Sequence, residues 1–225
     1  MLVAFPAAFT GKKDKPLLCS KLNSLWCGNP VRSEIAAIAE PAVRLLDRSG
    51  RLRLLVVGGS LGAQALNEAV PKALALLPEM ERPEIIHQAG ERHLQALTAN
   101  YAEAGVSVEA KAFIDDMAAL YAWCDLVICR AGALTVAELA AAGIASVLVP
   151  YPHAVDDHQT HNAKFLSDQG AAILLSQNEL NPPALAQLLS AFTRQKLLQM
   201  ANAARALSKP DATRQVAEIC MELAA

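Results

Sequence analysis

From residue 51 onward, short runs of β-branched and aliphatic residues alternate with longer amphipathic stretches, and few folds accommodate that alternation. The runs at 52–57, 84–87, 106–113, 125–129, 145–149 and 171–175 have the length and composition of strands. Between them the spacing predicts helices over 63–77, stopped by Pro78, over about 91–104, and over 115–123 with an acidic first turn. Two more follow, at 134–142, ended by Gly143, and in a stretch closing near Asp168. Strand, helix and strand at this spacing make βαβ units, and their right-handed crossovers put helices on both faces of a parallel sheet. The expected fold class is therefore α/β, a Rossmann-like domain with a parallel sheet of about six strands. The remainder reads as helical, with breaks at Pro182-Pro183 and Pro210. Residues 1–30 stand outside the repeat: Lys12-Lys13-Asp14-Lys15-Pro16 reads as a solvated turn between extended pieces, Asn29-Pro30 as a second turn, and Val31 as the start of a helix.

Hydrophobic residues make up 53% of the 225 and charged residues 19%, so a sizeable core can form and disorder is not expected. A net charge of -2 and only 4% aromatics give no basic balance and no stacking platform for nucleic acid. The five cysteines, Cys19, Cys27, Cys124, Cys129 and Cys220, include no C-x-x-C pair, so neither a zinc knuckle nor a disulfide framework is signalled and idle thiols in a reducing cytosol are expected. Met1–Phe9 is apolar but lacks a preceding basic region, so it does not read as a signal peptide. No apolar run is long enough to span a bilayer, the stretch 134–150 being broken by Glu138. A cytosolic chain is expected.

Ligands of such sheets bind beyond the carboxyl ends of the strands, so chemistry is sought there. The first candidate is Gly58-Gly59-Ser60-Leu61-Gly62-Ala63, which comes directly after a strand and opens a helix. Its glycines let backbone N–H groups approach an anion, the helix N-terminus favours negative charge, and Ser60 adds a hydroxyl donor. It lacks the Gly-Lys-Ser/Thr of a Walker A loop and is not G-x-G-x-x-G; a plain tight turn with Ser60 as N-cap accounts for it equally well. The second is Arg130–Glu138, where Gly132 allows a turn presenting the N–H groups of Ala133, Leu134 and Thr135 to a phosphate, with Glu138 one helical turn in to accept from two ribose hydroxyls. Its structural alternative is a capping box, Thr135-x-x-Glu138. The third is the loop Tyr151–Ala163, where His153, His158, His161, Asp156 and Asp157 invite a metal reading but show no fixed third ligand. Polar contacts to sugar hydroxyls suit it better, with Asp156 or Asp157 capping the next helix. The fourth is Arg32, just after the linker turn Gly28-Asn29-Pro30-Val31, placed to clamp a phosphate or to be a plain surface arginine.

In this order the four candidates resemble the MurG family, the UDP-N-acetylglucosamine-dependent transferases that glycosylate lipid-linked muramyl pentapeptide in peptidoglycan synthesis. The strings that carry the resemblance are Gly28–Arg32, Val56–Ala63, Phe113–Met117, Arg130–Glu138, Asp157–Thr160 and Asn162-Ala163. The resemblance implies a GT-B fold, with residues 31–225 as the C-terminal UDP-sugar-binding domain, residues 1–30 as a remnant of the N-terminal acceptor domain and linker, and a final helix at about 211–223 packing on that domain. It further implies Arg32, Gly59, Ser60 and Gly62 at the diphosphate, the Ile114 backbone at uracil, and Ala133, Leu134 and Thr135 at phosphate. Glu138 would take the ribose, and His158 and Gln159 the N-acetylglucosamine. The family's G-G-T-G-G-H loop, which supplies the acceptor site and a proposed catalytic base, has no counterpart in these residues, so the expectation is donor binding with little turnover and no catalytic residue in this chain. The implied enzyme is an inverting hexosyltransferase of cell wall biogenesis, with no obligatory cofactor or metal beyond stimulation by a divalent cation. Its partners are UDP-N-acetylglucosamine and a lipid-linked acceptor, with peripheral attachment to the cytoplasmic face of the inner membrane. Two rivals stand beside it: a UDP-N-acetylglucosamine 2-epimerase of similar fold and a non-catalytic nucleotide-sugar-binding module.

Overall fold

The computed structural model describes residues 2–5, 25–59, 63–154 and 157–224. Two strands, β1 (Leu2–Val3) and β2 (Leu25–Trp26), pair with each other in parallel and stand apart from the main sheet. That sheet has six parallel strands in the order β5-β4-β3-β6-β7-β8. They are β3 (Arg53–Val57), β4 (Glu84–Gln88), β5 (Glu109–Lys111), β6 (Leu126–Cys129), β7 (Ser146–Leu148) and β8 (Ala172–Leu174). The six expected strands are present and parallel. The third covers only three residues of the expected 106–113, because only Glu109–Lys111 pair with β4.

Both faces of the sheet are buried, and the side-chain period of two divides the strands between two cores. Leu54 and Val56 of β3, Leu126 and Ile128 of β6 and Val147 of β7 enter one core, covered by α3 (Gln64–Ala75), α4 (Leu94–Glu103) and α8 (Pro182–Ser190). Leu55, Val127, Cys129 and Leu148 enter the other, covered by α1 (Ser33–Ala36), α5 (Met117–Trp123), α6 (Ala133–Ala142) and α7 (His158–Ser167). The long α9 (Arg194–Ala206) gives Leu197 and Met200 to the first core and Ala204 to the second, closing the sheet's side. The helix expected from Val31 is only α1, four residues long, followed by the equally short α2 (Pro41–Arg44). Pro182 and Pro183 prove to begin α8, where a missing N–H costs nothing, with Asn181 capping the helix through Ala184 N at 2.9 Å. The chain ends in α10 (Ala212–Ala224), where only Ala212 is buried.

Two polar knots lock this arrangement. Pro71 lies inside α3 and cannot donate to the carbonyl of Asn67, one turn earlier. Asn100 of α4 supplies the missing donor, its Nδ2 reaching Asn67 O at 3.1 Å. The Asn67 side chain then donates to Ala89 O at 3.4 Å and accepts from His87 Nε2 at 3.0 Å, while His87 Nδ1 meets the Tyr101 hydroxyl at 3.0 Å. At the opposite, N-terminal edge of the sheet, buried Asp125 accepts from Arg48 Nη1 at 2.7 Å, from the backbone N of Arg53 at 3.0 Å and from Arg194 Nη2 at 3.5 Å.

His87 is fully buried with no anion to favour its charged form, and burial pushes its pKa down from 6.5 to about 3. The folded protein therefore keeps it neutral where the unfolded chain protonates it. Stability is retained above about pH 6.5 and lost as pH falls toward about 3, by about 1.4 kcal/mol per unit. On moving from pH 7 to pH 5 the wild type is expected to lose about 2 kcal/mol more than a His87→Gln variant in urea unfolding. Parallel pH profiles for the two proteins would show that His87 does not carry this dependence.

Candidate functional site

The strand order places the site. From β3 the chain winds outward through β4 to β5, then crosses back to β6 and winds the other way through β7 to β8. The direction reverses between β3 and β6, which pair directly with Val57 beside Cys129. At such a switch point the loops after the two central strands diverge and leave a crevice. Those loops are the glycine loop and the Arg130–Gly132 turn, so the first two candidate motifs are brought together at one edge.

In the glycine loop, Ser60 and Gly62 lie outside the described residues. Gly59 has φ +83°, and a Cβ built there would meet nothing within 4 Å, so the backbone faces open space. Its N–H is not offered to that space, because it donates to Gln88 Oε1 at 3.0 Å. Gly59 thus serves by conformation and by its bare Cα, which refines the expectation that it donates to a phosphate.

The second turn is pinned from two distant places. Asn162 of α7, buried, donates to Ala131 O at 3.1 Å, and Asn29 of the linker donates to Ala133 O at 3.2 Å. The helix α6 begins at Ala133 with Gly132 as N-cap and no side-chain cap. The first intrahelical donor is Val136 N, to Gly132 O at 2.9 Å. The N–H groups of Ala133, Leu134 and Thr135 have no acceptor among the described residues, and a helix N-terminus in this condition carries a partial positive charge aimed into the crevice. The capping-box alternative is thereby corrected. Thr135 is the third helical residue rather than the N-cap, and Glu138 bonds no backbone N–H at the helix start among the described residues. Its carboxylate accepts from Arg32 Nη2 at 3.1 Å and from the Tyr121 hydroxyl at 3.4 Å. Burial, the nearby Cys129 thiol and Glu138 itself hold the Tyr121 phenol well above its ordinary pKa, so it remains a donor. Arg32, expected at the diphosphate, is about half exposed and stands beside the proposed ribose acceptor.

Ile114 comes after β5 at the same edge. Its side chain is buried in the second core, and its backbone N–H and C=O make no hydrogen bond to other described residues. His158 and Gln159 open α7 after the polar loop. Gln159 Oε1 accepts from Tyr151 N at 2.9 Å, which folds the loop back on the helix. Asp156 is outside the described residues. Asp157 occupies the N-cap position but makes no cap to the backbone; its side chain accepts from the Thr160 hydroxyl at 2.6 Å. Phe113 and Tyr151, exposed on the loops after β5 and β7, and Leu134, exposed in the first turn of α6, add apolar surface to this edge.

Sequence reasoning missed four residues here: Gln88, Tyr121, and the pinning roles of Asn29 and Asn162. Asn29 carried only a turn signal, and the others act across more than a dozen residues of sequence. Arg130 was grouped with the phosphate turn, but its guanidinium is committed to Val149 O and Pro150 O, both at 3.1 Å, and to Gln177 Oε1 at 2.6 Å. Cys27, Cys124 and Cys129 are buried and Cys220 is exposed, all unbridged; burial pushes Cys124 and Cys129 up to about 12, which makes them unreactive as thiolates.

A six-stranded parallel sheet in this order, with helix N-termini gathered at its switch point, is the domain architecture of GT-B glycosyltransferases. Residues 53–216 match the glycosyltransferase family 28 C-terminal domain, and the chain belongs to that family. A protein of Dechloromonas aromatica (strain RCB), named as a UDP-N-acetylglucosamine–N-acetylmuramyl-(pentapeptide) pyrophosphoryl-undecaprenol N-acetylglucosamine transferase, is 64% identical over 90% of this chain and 57% of its own length. A protein of the same name from Nitrosospira multiformis is 58% identical over 100% of this chain and 60% of its own. The chain therefore spans well under two thirds of these relatives. The crystal structure of Acinetobacter baumannii MurG superposes with a TM-score of 0.79 at 43% identity, over 89% of this chain and 58% of that one.

The two ends of the sheet are expected to differ in their effect on stability. Arg32→Ala breaks a half-exposed pair and should cost no more than about 1 kcal/mol. Asp125→Ala strands buried Arg48 and should cost about 3–5 kcal/mol in the same urea unfolding assay. Equal losses would contradict the assignment of Arg32 to the site rather than to the framework.

Proposed function

We propose that this chain is the donor-binding part of an inverting glycosyltransferase that moves N-acetylglucosamine from UDP-N-acetylglucosamine to undecaprenyl-pyrophosphoryl-muramyl pentapeptide. The observation that carries this is the uncapped N-terminus of α6 at the switch point, with the Glu138 carboxylate one turn further in. The names of the relatives above support the choice of nucleotide sugar and acceptor.

In this assignment the N–H groups of Ala133, Leu134 and Thr135 hold the diphosphate, helped by Arg32 and by Ser60 and Gly62 of the glycine loop. Glu138 takes the two ribose hydroxyls, and uracil pairs with the Ile114 backbone. His158 and Gln159 face the N-acetylglucosamine, where the Nε2 of Gln159 is the end left to the sugar. Transfer builds negative charge on the departing diphosphate, and donors fixed before the reaction stabilise it without reorganising. The helix N-terminus and Arg32 supply such donors with no obligatory metal, and stimulation by a divalent cation is compatible with them. Acceptor binding and the base that receives the hydroxyl proton are assigned to the part of the relatives that this chain does not span. A lipid-linked acceptor would place the complete enzyme on the cytoplasmic face of the membrane; among the described residues no helix is long and apolar enough to cross it.

Calorimetric titration tests this. UDP-N-acetylglucosamine should bind saturably, ADP should not, and UDP-glucose should bind more weakly. Glu138→Ala should weaken UDP about tenfold or more, since hydrogen bonds to a charged group are lost. The same variant should leave the affinity for 2′,3′-dideoxyuridine diphosphate unchanged. Equal binding of ADP and UDP, or no binding of any uridine nucleotide, would overturn the proposal.

A further inference from the structure

Gln88 ends β4 and is almost fully buried, yet its carboxamide packs into neither core. It lies along the sheet edge between two loops. Its Nε2 donates to Gly59 O at 3.1 Å and to Ala112 O at 3.0 Å, while its Oε1 accepts from Gly59 N at 3.0 Å. Both protons of one NH2 group are thus used, one on each loop, and the oxygen closes a two-bond ring with the Gly59 backbone. Gly59 is held at φ +83° by this ring and leads into the rest of the glycine loop. Ala112 stands two residues before Ile114, and its carbonyl also accepts from Gly90 N at 3.2 Å. Both loops are also tied to the end of β4 by backbone bonds, Gly58 N to Gln88 O at 3.1 Å and Gly90 N to Ala112 O at 3.2 Å, and the Gln88 side chain is the planar link that bridges Gly59 directly to Ala112.

We infer that Gln88 is a positioning residue that fixes the spacing between these two loops for a ligand that must touch both, a pyrimidine nucleoside diphosphate. This rests on the proposed assignment of uracil to Ile114 and of the diphosphate to the glycine loop and α6. A ligand held at only one loop does not depend on the spacing. Uridine reaches the Ile114 loop and Glu138 alone, whereas UDP reaches across. The side chain acts through backbone it fastens and touches no ligand itself.

Replacing Gln88 by Met keeps the length and volume and removes all three hydrogen bonds. Gln88→Glu keeps an acceptor for Gly59 N but turns a carboxylate toward the two carbonyls, so it releases the Ile114 loop while still holding Gly59. UDP affinity is read by calorimetry, uridine affinity by NMR titration, and loop order by amide hydrogen exchange at Gly59, which donates to Gln88 Oε1, and at Gly90, which donates to Ala112 O. The expected result is a loss of about tenfold or more for UDP in both variants, with uridine changed by less than about threefold. Exchange should quicken at Gly90 in both variants and at Gly59 in Gln88→Met only. Equal losses for UDP and uridine would show a general structural role, and UDP affinity within about twofold of wild type would remove the role altogether. Should wild type bind neither compound, the nucleotide assignment itself fails, a result visible before any variant is made. If Gln88→Met does not fold, the near-isosteric Gln88→Glu carries the same comparison.

Discussion

A parallel sheet buried on both faces leaves its strands no free surface. From Leu54 of β3 and throughout β6, successive side chains alternate between the two cores and are taken up in packing. Whatever this domain recognises must be held by the loops and helix starts beyond the strand ends, and the reversal of winding between β3 and β6 opens the place to hold it. The helix dipoles and unpaired N–H groups gathered there are a consequence of topology rather than of any single side chain. That is why the contacts proposed at this edge are backbone-based: the first turn of α6, the turn after β3 and the backbone of Ile114.

Backbone recognition requires that the backbone be fixed, and the polar side chains around the edge do this. Asn29 and Asn162 pin the carbonyls on either side of Gly132, and Gln88 fastens Gly59 to Ala112. The link from Asn29 also ties the linker to the first residue of α6. Beside it Gly28, with φ +85°, passes so close to Lys209 that a Cβ would lie 2.6 Å from the lysine Cβ. Lys209 in turn sits over the Trp26 ring at 3.6 Å, and Trp26 packs edge-on against Phe165 of α7. The linker, the start of α6 and the turn before α10 are thus one mechanical unit. At the far edge Asp125 and its arginines close the framework without approaching the crevice.

Much of this was legible from residue order alone. Six apolar runs of strand length with helical spacers sufficed for the parallel sheet, and glycines after two of them marked the loops at its switch point. The features that could not be read depend on partners remote in sequence. Pro71 looks like a helix breaker, and its tolerance comes from Asn100, thirty-three residues beyond the carbonyl it serves. Thr135-x-x-Glu138 satisfies a capping pattern, but Gly132 takes the cap position and Glu138 finds Arg32, 106 residues away. Gln88 has no local signature at all, since a buried carboxamide at a strand end becomes meaningful only once the two neighbouring loops are in place. The helix expected to start at Val31 is only the four residues of α1, and Pro41 opens a separate short helix after it.

In the proposed function the unpaired amides opening α6 hold the diphosphate. Backbone amide shifts, tracked by NMR during titration with UDP, inorganic pyrophosphate and uridine, test it most directly. The signals of Ala133, Leu134 and Thr135 should move on addition of UDP and of pyrophosphate, and stay in place with uridine, which should move residues near Ile114. If UDP binds while those three amides keep their positions, the α6 N-terminus is not the phosphate site.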